Sequence, residues 1–245
     1  MDSKNLSETK FMKKIGGIAS KIILKQIELV DSKIQNKENL VEEEQDFYVK
    51  SVFQKAMNIL NTYEQLEFIP VFVRRFPSQK YYNDNEINHP KYLQYHIENH
   101  FLKITTILDQ SIILVSEIFR LGTPPKSTSL NQLKRNRFTK GSEPIKLLRD
   151  FEKEIQDIKT VRNLIIHRGE FSDSEIDEIG MCFFISKKLN NKQPFPEFYL
   201  EHKMREIVKN KDKFLIKNNK VIHKFLTKLF LLLDNEFKIK FEEMK

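Results

Sequence analysis

The sequence predicts an all-α fold, a multi-helix bundle with two long antiparallel core helices, and three observations predict it. Among 245 residues there are only six Gly and eight Pro. Apolar residues recur at spacings of three and four over most of the chain, the period of a helix with one buried face. Hydrophobic residues are 40% and charged residues 31%, the balance of a globular chain rich in amphipathic elements.

Lys10 to Val30 and Glu42 to Leu66 read as two amphipathic helices, the first weakened near its start by Gly16-Gly17. Phe68 to Phe76 carries Val, Phe and Ile around Pro70 and ends at Pro77, which predicts an extended segment or short strand. Asn88-His89-Pro90 is a helix start, because proline suits the first turn. The stripe Leu93, Ile97, Phe101, Ile104, Leu108, Ile112 and Val115 then runs to Leu121-Gly122, where glycine is expected to close the first core helix. Thr123 to Ser142 is a basic connector, holding Lys126, Lys134, Arg135, Arg137 and Lys140 without one acidic residue. Ser142 is expected to cap the second core helix, with Pro144 in its first turn and a stripe from Leu148 through Phe151, Ile155, Ile158 and Val161 to Ile165. That helix should stop near Gly169. Asp173 to Leu189 and Phe198 to about Phe241 supply two further helical segments. No repeat at a fixed period is present, and a single domain over 1–245 is expected, with a core over 90–245 and 1–89 as a helical extension packed on it.

Composition excludes several classes. The most apolar tracts, Ile104 to Val115 and Phe225 to Leu233, are broken by polar residues and fall short of the ~20 clean residues of a membrane span. Cys182 stands alone, so neither an intrachain disulfide nor a cysteine-based zinc site is available. Met1 to Lys14 is too charged for a secretory signal, which leaves a cytoplasmic address as the expectation. Lys plus Arg is 42 against 34 Asp plus Glu, and the net charge of +8 favours polyanionic partners.

The stretch Thr160 to Gly169 carries the most chemistry. Arg162 lies four residues after Ile158 and three before Ile165, so helical spacing sets a permanent cation on an apolar stripe. An unpaired buried guanidinium costs several kcal/mol, so Arg162 must find a carboxylate, reach the wet edge of the stripe, or await a phosphate that fits its bidentate fork. Asn163 and His167 share a row at i,i+4, while Arg162 lies about 140° around the helix from His167. An imidazole that moves protons near neutrality and an arginine that neutralises a phosphate are the minimum set for metal-free RNA cleavage. The plainer reading is an ordinary bundle salt bridge and a helix-end imidazole that suits the dipole. Chance alone yields about 0.7 such Arg-to-His spacings in a chain of this composition, so position has to decide.

On position, Arg162-Asn163-Leu164-Ile165-Ile166-His167 resembles the hallmark of the HEPN family (higher eukaryotes and prokaryotes nucleotide-binding domains): Arg, four to six residues, then His, late in an all-α bundle, with a polar residue after the Arg. The helix from Tyr92 to Gly122 is similar to the long helix that precedes the motif, and the resemblance covers about Pro90 to Gly169. It implies a homodimer in which two motifs face each other and cut RNA without metal or cofactor, as toxin or phage-defence ribonucleases do. Arg162 would then bind the scissile phosphate, His167 would serve as general acid or base, and Asn163 would orient the phosphate or the His167 imidazole. Glu98 is a candidate partner for Arg162, and Arg168, Lys134, Arg135 and Arg137 are candidate RNA-binding cations. A cognate antitoxin or other defence-system protein is a further expected partner. The alternative is a non-catalytic helical RNA-binding or adaptor protein that keeps the fold.

The remaining constellations are weaker. His96 and His100 have an i,i+4 spacing that can hold a metal, but the Glu of a zinc-protease motif is displaced to Glu98, and plain helix histidines are expected. Gly16-Gly17 lacks the strand before it and the Gly-Lys-Ser/Thr after it that a phosphate loop needs, which leaves a kink or close packing.

Overall fold

The computed structural model describes residues 3–36, 43–77, 80–169, 171–189 and 195–244, and every regular element among them is an α-helix. In chain order these are α1 (Ser3–Ser7), α2 (Lys10–Asn36), α3 (Glu44–Val73), α4 (Lys80–Asp84) and α5 (His89–Ile118). There follow α6 (Leu130–Arg135), α7 (Glu143–Glu154), α8 (Gln156–Arg168), α9 (Ser174–Lys188) and α10 (Glu197–Glu242). No described helix is long and apolar enough to cross a membrane.

The chain forms two compact units, one of Met1–Glu64, Thr106–Glu154 and His223–Lys245, the other of Gln65–Thr105 and Ile155–Ile222. Residues of 1–89, expected as an extension, therefore contribute to both. The first unit buries Phe11, Ile15, Val52, Ile59, Leu229 and Phe230, among others. Phe11 meets the rings of Phe230 and Phe237 at 5.5 and 6.2 Å, and Phe151 stacks on Phe225 at 3.8 Å. A methyl group at Gly16 would meet the Phe53 ring at 3.5 Å, an ordinary contact, so the packing there does not itself require glycine. Buried Asp234 is neutralised by Lys14 and by Lys10 at 3.5 Å. The second unit buries Leu93, Ile97, Ile104, Ile176, Met204 and Leu215.

Four local expectations are corrected. The segment from Phe68, expected to be extended, is the last turns of α3, which runs through Pro70 to Val73. Pro70 cannot donate to the Leu66 carbonyl one turn back. The Asn219 side-chain amide makes that bond instead, at 3.3 Å, so a distant residue removes part of the cost of a proline inside a helix. Arg120 closes α5 in the left-handed conformation, two residues ahead of Gly122, which is left-handed as well. The Arg120 φ is 54°, and the Arg120 and Leu121 N–H groups return to the Glu117 and Ser116 carbonyls at 2.9 and 3.1 Å. Ser142 does precede α7, but its buried hydroxyl has no hydrogen-bond partner and caps nothing. Finally, the second core helix is two helices: at Ile155 φ is −99° and ψ 16°, which interrupts the helix between α7 and α8 without any Gly or Pro to mark it.

Other signals act as read. Asn88 accepts the Lys91 N–H at 3.0 Å ahead of Pro90, and Asp173 accepts that of Ile176 at 3.3 Å to begin α9. Within the basic connector, Ser129 and Gln132 form a reciprocal capping box that starts α6.

Candidate functional site

The motif lies on α8, in the second unit. Asp157 in the first turn and His167 and Arg168 in the last complement the helix dipole. Gly169 ends the helix with φ 64°, a left-handed conformation that disfavours a side chain, and its N–H closes on the Ile165 carbonyl at 3.1 Å. The stop fixes His167 in the final turn.

The break at Ile155 changes the environment of the stripe. Leu148, Phe151 and Ile155 are buried, whereas α8 itself buries no residue. Ile158, Val161 and Ile165 are half-buried, and Leu164 and Ile166 are 38% and 50% exposed. Arg162 is consequently not a cation inserted into a core. It reaches the wet edge, half-buried, with Nη1 donating to Asn163 Oδ1 at 3.1 Å. Its Nε is enclosed and has no hydrogen-bond partner among the described residues. Asn163, His167 and Arg168 are exposed. Asn163 thus orients the guanidinium, and His167 on the next turn of the same row faces solvent.

Glu98 does not pair with Arg162. Its Oε1 accepts from Gln94 Nε2 at 2.8 Å, one turn earlier on α5, and among the described residues Arg162 meets no carboxylate. The connector cations belong to the first unit. Arg135 and Arg137 are exposed, and the Arg137 guanidinium lies 4.5 Å from the centre of the Phe138 ring, itself 61% exposed. Lys134 is partly neutralised by Glu152 at 3.8 Å. Buried Leu130 and Leu133, together with the Thr139 hydroxyl donating to the Leu133 carbonyl at 2.5 Å, hold this segment in place.

His96 and His100 are not a metal pair. His100 is fully buried, and its Nε2 lies 3.0 Å from Asn219 Oδ1, while His96 stacks on Phe72 at 5.4 Å. Among the described residues no three His, Cys, Asp or Glu side chains converge as metal ligands. Sequence reasoning missed the exposed apolar pair Leu164 and Ile166. Both are visible as apolar residues, but uninterrupted periodicity assigned them to a long core helix.

The HEPN family model described as Cthe2314-like HEPN matches residues 48–234, well over half the chain, and its span includes the whole of α5 to α9. No curated protein and no solved structure matches the chain. With an all-helical architecture and a family match that encloses the Arg162-to-His167 motif, the chain belongs to the HEPN family.

Proposed function

We propose that this protein is a metal-independent endoribonuclease of the HEPN toxin or phage-defence type, acting as a homodimer with a composite site. The observation that carries this reading is α8 itself, which holds an intact Arg162/Asn163/His167 set and buries none of its side chains. A helix with a wet motif beside exposed Leu164 and Ile166 is suited to meet a second copy of itself.

In the reaction, His167 of one copy takes the proton of the RNA 2′-hydroxyl as that oxygen attacks phosphorus. Protonated His167 of the second copy gives a proton to the departing 5′-oxygen, and the P–O5′ bond breaks as the P–O2′ bond forms. Arg162, with Nη1 steadied by Asn163, holds the non-bridging oxygens while charge grows on them. The products are a 2′,3′-cyclic phosphate and a 5′-hydroxyl. Arg168 and the exposed Arg135 and Arg137 are proposed to bind the RNA backbone, with Lys134 contributing less because Glu152 already meets it.

The test is cleavage of labelled RNA in EDTA by wild type, His167→Ala and Arg162→Ala. Each variant should lose at least about a hundredfold in rate, the scale of a general acid–base group or an oxyanion donor. Equal cutting by all three would identify a contaminant. Binding of RNA with no cutting by wild type would support the adaptor reading instead.

A further inference from the structure

We propose a second binding site in the same unit as the motif: an aromatic pocket that takes one unpaired nucleobase of single-stranded RNA. The choice of RNA as the source of the base rests on the nuclease reading. The pocket itself rests on the residues between the end of α3 and the first turns of α5.

Phe72, Tyr82, Lys91, Tyr92, Tyr95 and His96 line a cavity of about 540 Å³. The rings brace one another. His96 stacks on Phe72 at 5.4 Å with planes 27° apart, and it meets the Tyr92 ring edge-on at 4.4 Å. Tyr82 in turn meets Tyr92 at 6.1 Å, edge to face. Such mutual support fixes ring orientation before any ligand arrives, which lowers the ordering cost of binding. Yet Tyr95 is 62% exposed and Phe72 46%, so aromatic surface is left uncovered at the cavity even with His96 stacked on Phe72. A flat aromatic ligand is the group that such faces hold best.

Charge selects among flat ligands. Lys91 lines the cavity and, among the described residues, no carboxylate does, which disfavours the cationic ligands that aromatic cages usually hold. Lys91 Nζ gives one hydrogen bond to the Glu86 carbonyl at 3.1 Å, while the Glu86 carboxylate, which also attracts Lys91, is met directly by Lys187 at 2.9 Å. Among the described residues the bond to that carbonyl is the one hydrogen bond of Lys91 Nζ, which leaves ammonium donors for an anion. Lys91 and Tyr95 stand one turn apart on α5, about 6 Å between their β-carbons, a separation comparable to that of a nucleobase from its own phosphate. Burial lowers the pKa of His96, so at neutral pH its imidazole is uncharged and offers one donor and one acceptor to a base edge. Stacking surface, hydrogen-bonding edge and phosphate cation are therefore combined on one stretch of chain.

The experiment uses the full chain carrying His167→Ala, with a short single-stranded RNA holding one 2-aminopurine, and reads the fluorescence of that base together with affinity. Stacking should quench the emission. Adding Tyr95→Ala should restore emission and weaken binding about tenfold, the scale of one lost base–aromatic stack, while Tyr95→Phe keeps both signals. Lys91→Ala should weaken binding without restoring emission. Absence of quenching, or quenching and affinity indifferent to Tyr95→Ala, overturns the pocket. Tighter binding of the free 5′-monophosphate of 2-aminopurine than of the strand would also overturn it, in favour of a small-nucleotide site. Because cleavage is not the readout, a wild type that never cuts RNA and still shows Tyr95-dependent quenching would sink the nuclease reading alone.

Discussion

Burial pushes the His100 imidazole down to about 4, against a smaller upward pull from its hydrogen bond to Asn219, so the ring is neutral at pH 7. The Asn219 amide nitrogen donates to the Leu66 carbonyl, which turns its oxygen toward His100 and makes Nε2–H the donor. One buried amide thus serves a proline-broken helix turn and a buried histidine at once. The unfolded chain binds a proton on this residue near pH 6.5, the folded chain only near 4, so between those values the unfolded state holds more protons. Stability from this group is therefore complete above about 6.5 and falls as pH drops toward 4, by about 3 kcal/mol in all. His89 and His96 are lowered by burial too and act in the same direction. Urea unfolding at pH 7 and pH 4.5 measures the effect: wild type should lose most of that amount, and His100→Gln, which does not titrate there, should lose less by about the same margin. An equal pH dependence in the two proteins would mean that His100 is charged or exposed in the fold.

At the scale of elements, several caps that act through local chemistry were legible, although Ser142 and Gly122 were not among them, and what depends on distant partners was not legible. Asn88 before Pro90, Asp173 before α9 and Gly169 after α8 are capping groups acting within a few residues of themselves, and each bounds its helix as the sequence indicates. Helicity across Pro70 depends on Asn219, a partner 153 residues away, and no window of sequence contains both. Likewise, periodicity runs unbroken through Ile155 because an irregular φ,ψ pair leaves no mark when side-chain spacing is kept. That break matters for the site: it separates a buried stripe on α7 from an unburied one on α8, and the motif lies on the second. Leu164 and Ile166 then become testable as interface residues. Leu164→Asp with Ile166→Asp should leave the helical content unchanged by circular dichroism, since neither side chain is buried in the chain. The pair should shift the protein from dimer to monomer in sedimentation and reduce RNA cleavage by at least about tenfold, reversibly with protein concentration. A variant that stays dimeric and active would place the subunit contact elsewhere.

For the whole molecule, the excess of 42 basic over 34 acidic residues gives a net charge of +8, and charge of this kind governs encounter with a polyanion more than it governs fold. The basic connector concentrates part of it, and its side chains are not equivalent. Arg135 and Arg137 stand exposed on a segment whose backbone is pinned by buried Leu130, Leu133 and Thr139, so their positions are set while their charges remain in water. Lys134 is already met by Glu152 at 3.8 Å, and releasing it to a phosphate would give up that attraction. Affinity for single-stranded RNA should accordingly fall linearly on a plot of log K against log salt, because each neutralised phosphate releases condensed counterions. Replacing Arg135 or Arg137 by Ala should flatten that slope by about 0.7 for each contact removed, whereas Lys134→Ala should change it less. The measurement is best made on the non-cleaving His167→Ala protein, where binding is read without loss of substrate. An affinity indifferent to salt, or a slope unmoved by the double Arg135→Ala and Arg137→Ala variant, would show that the connector's charge is solvated surface and that RNA is held by other residues.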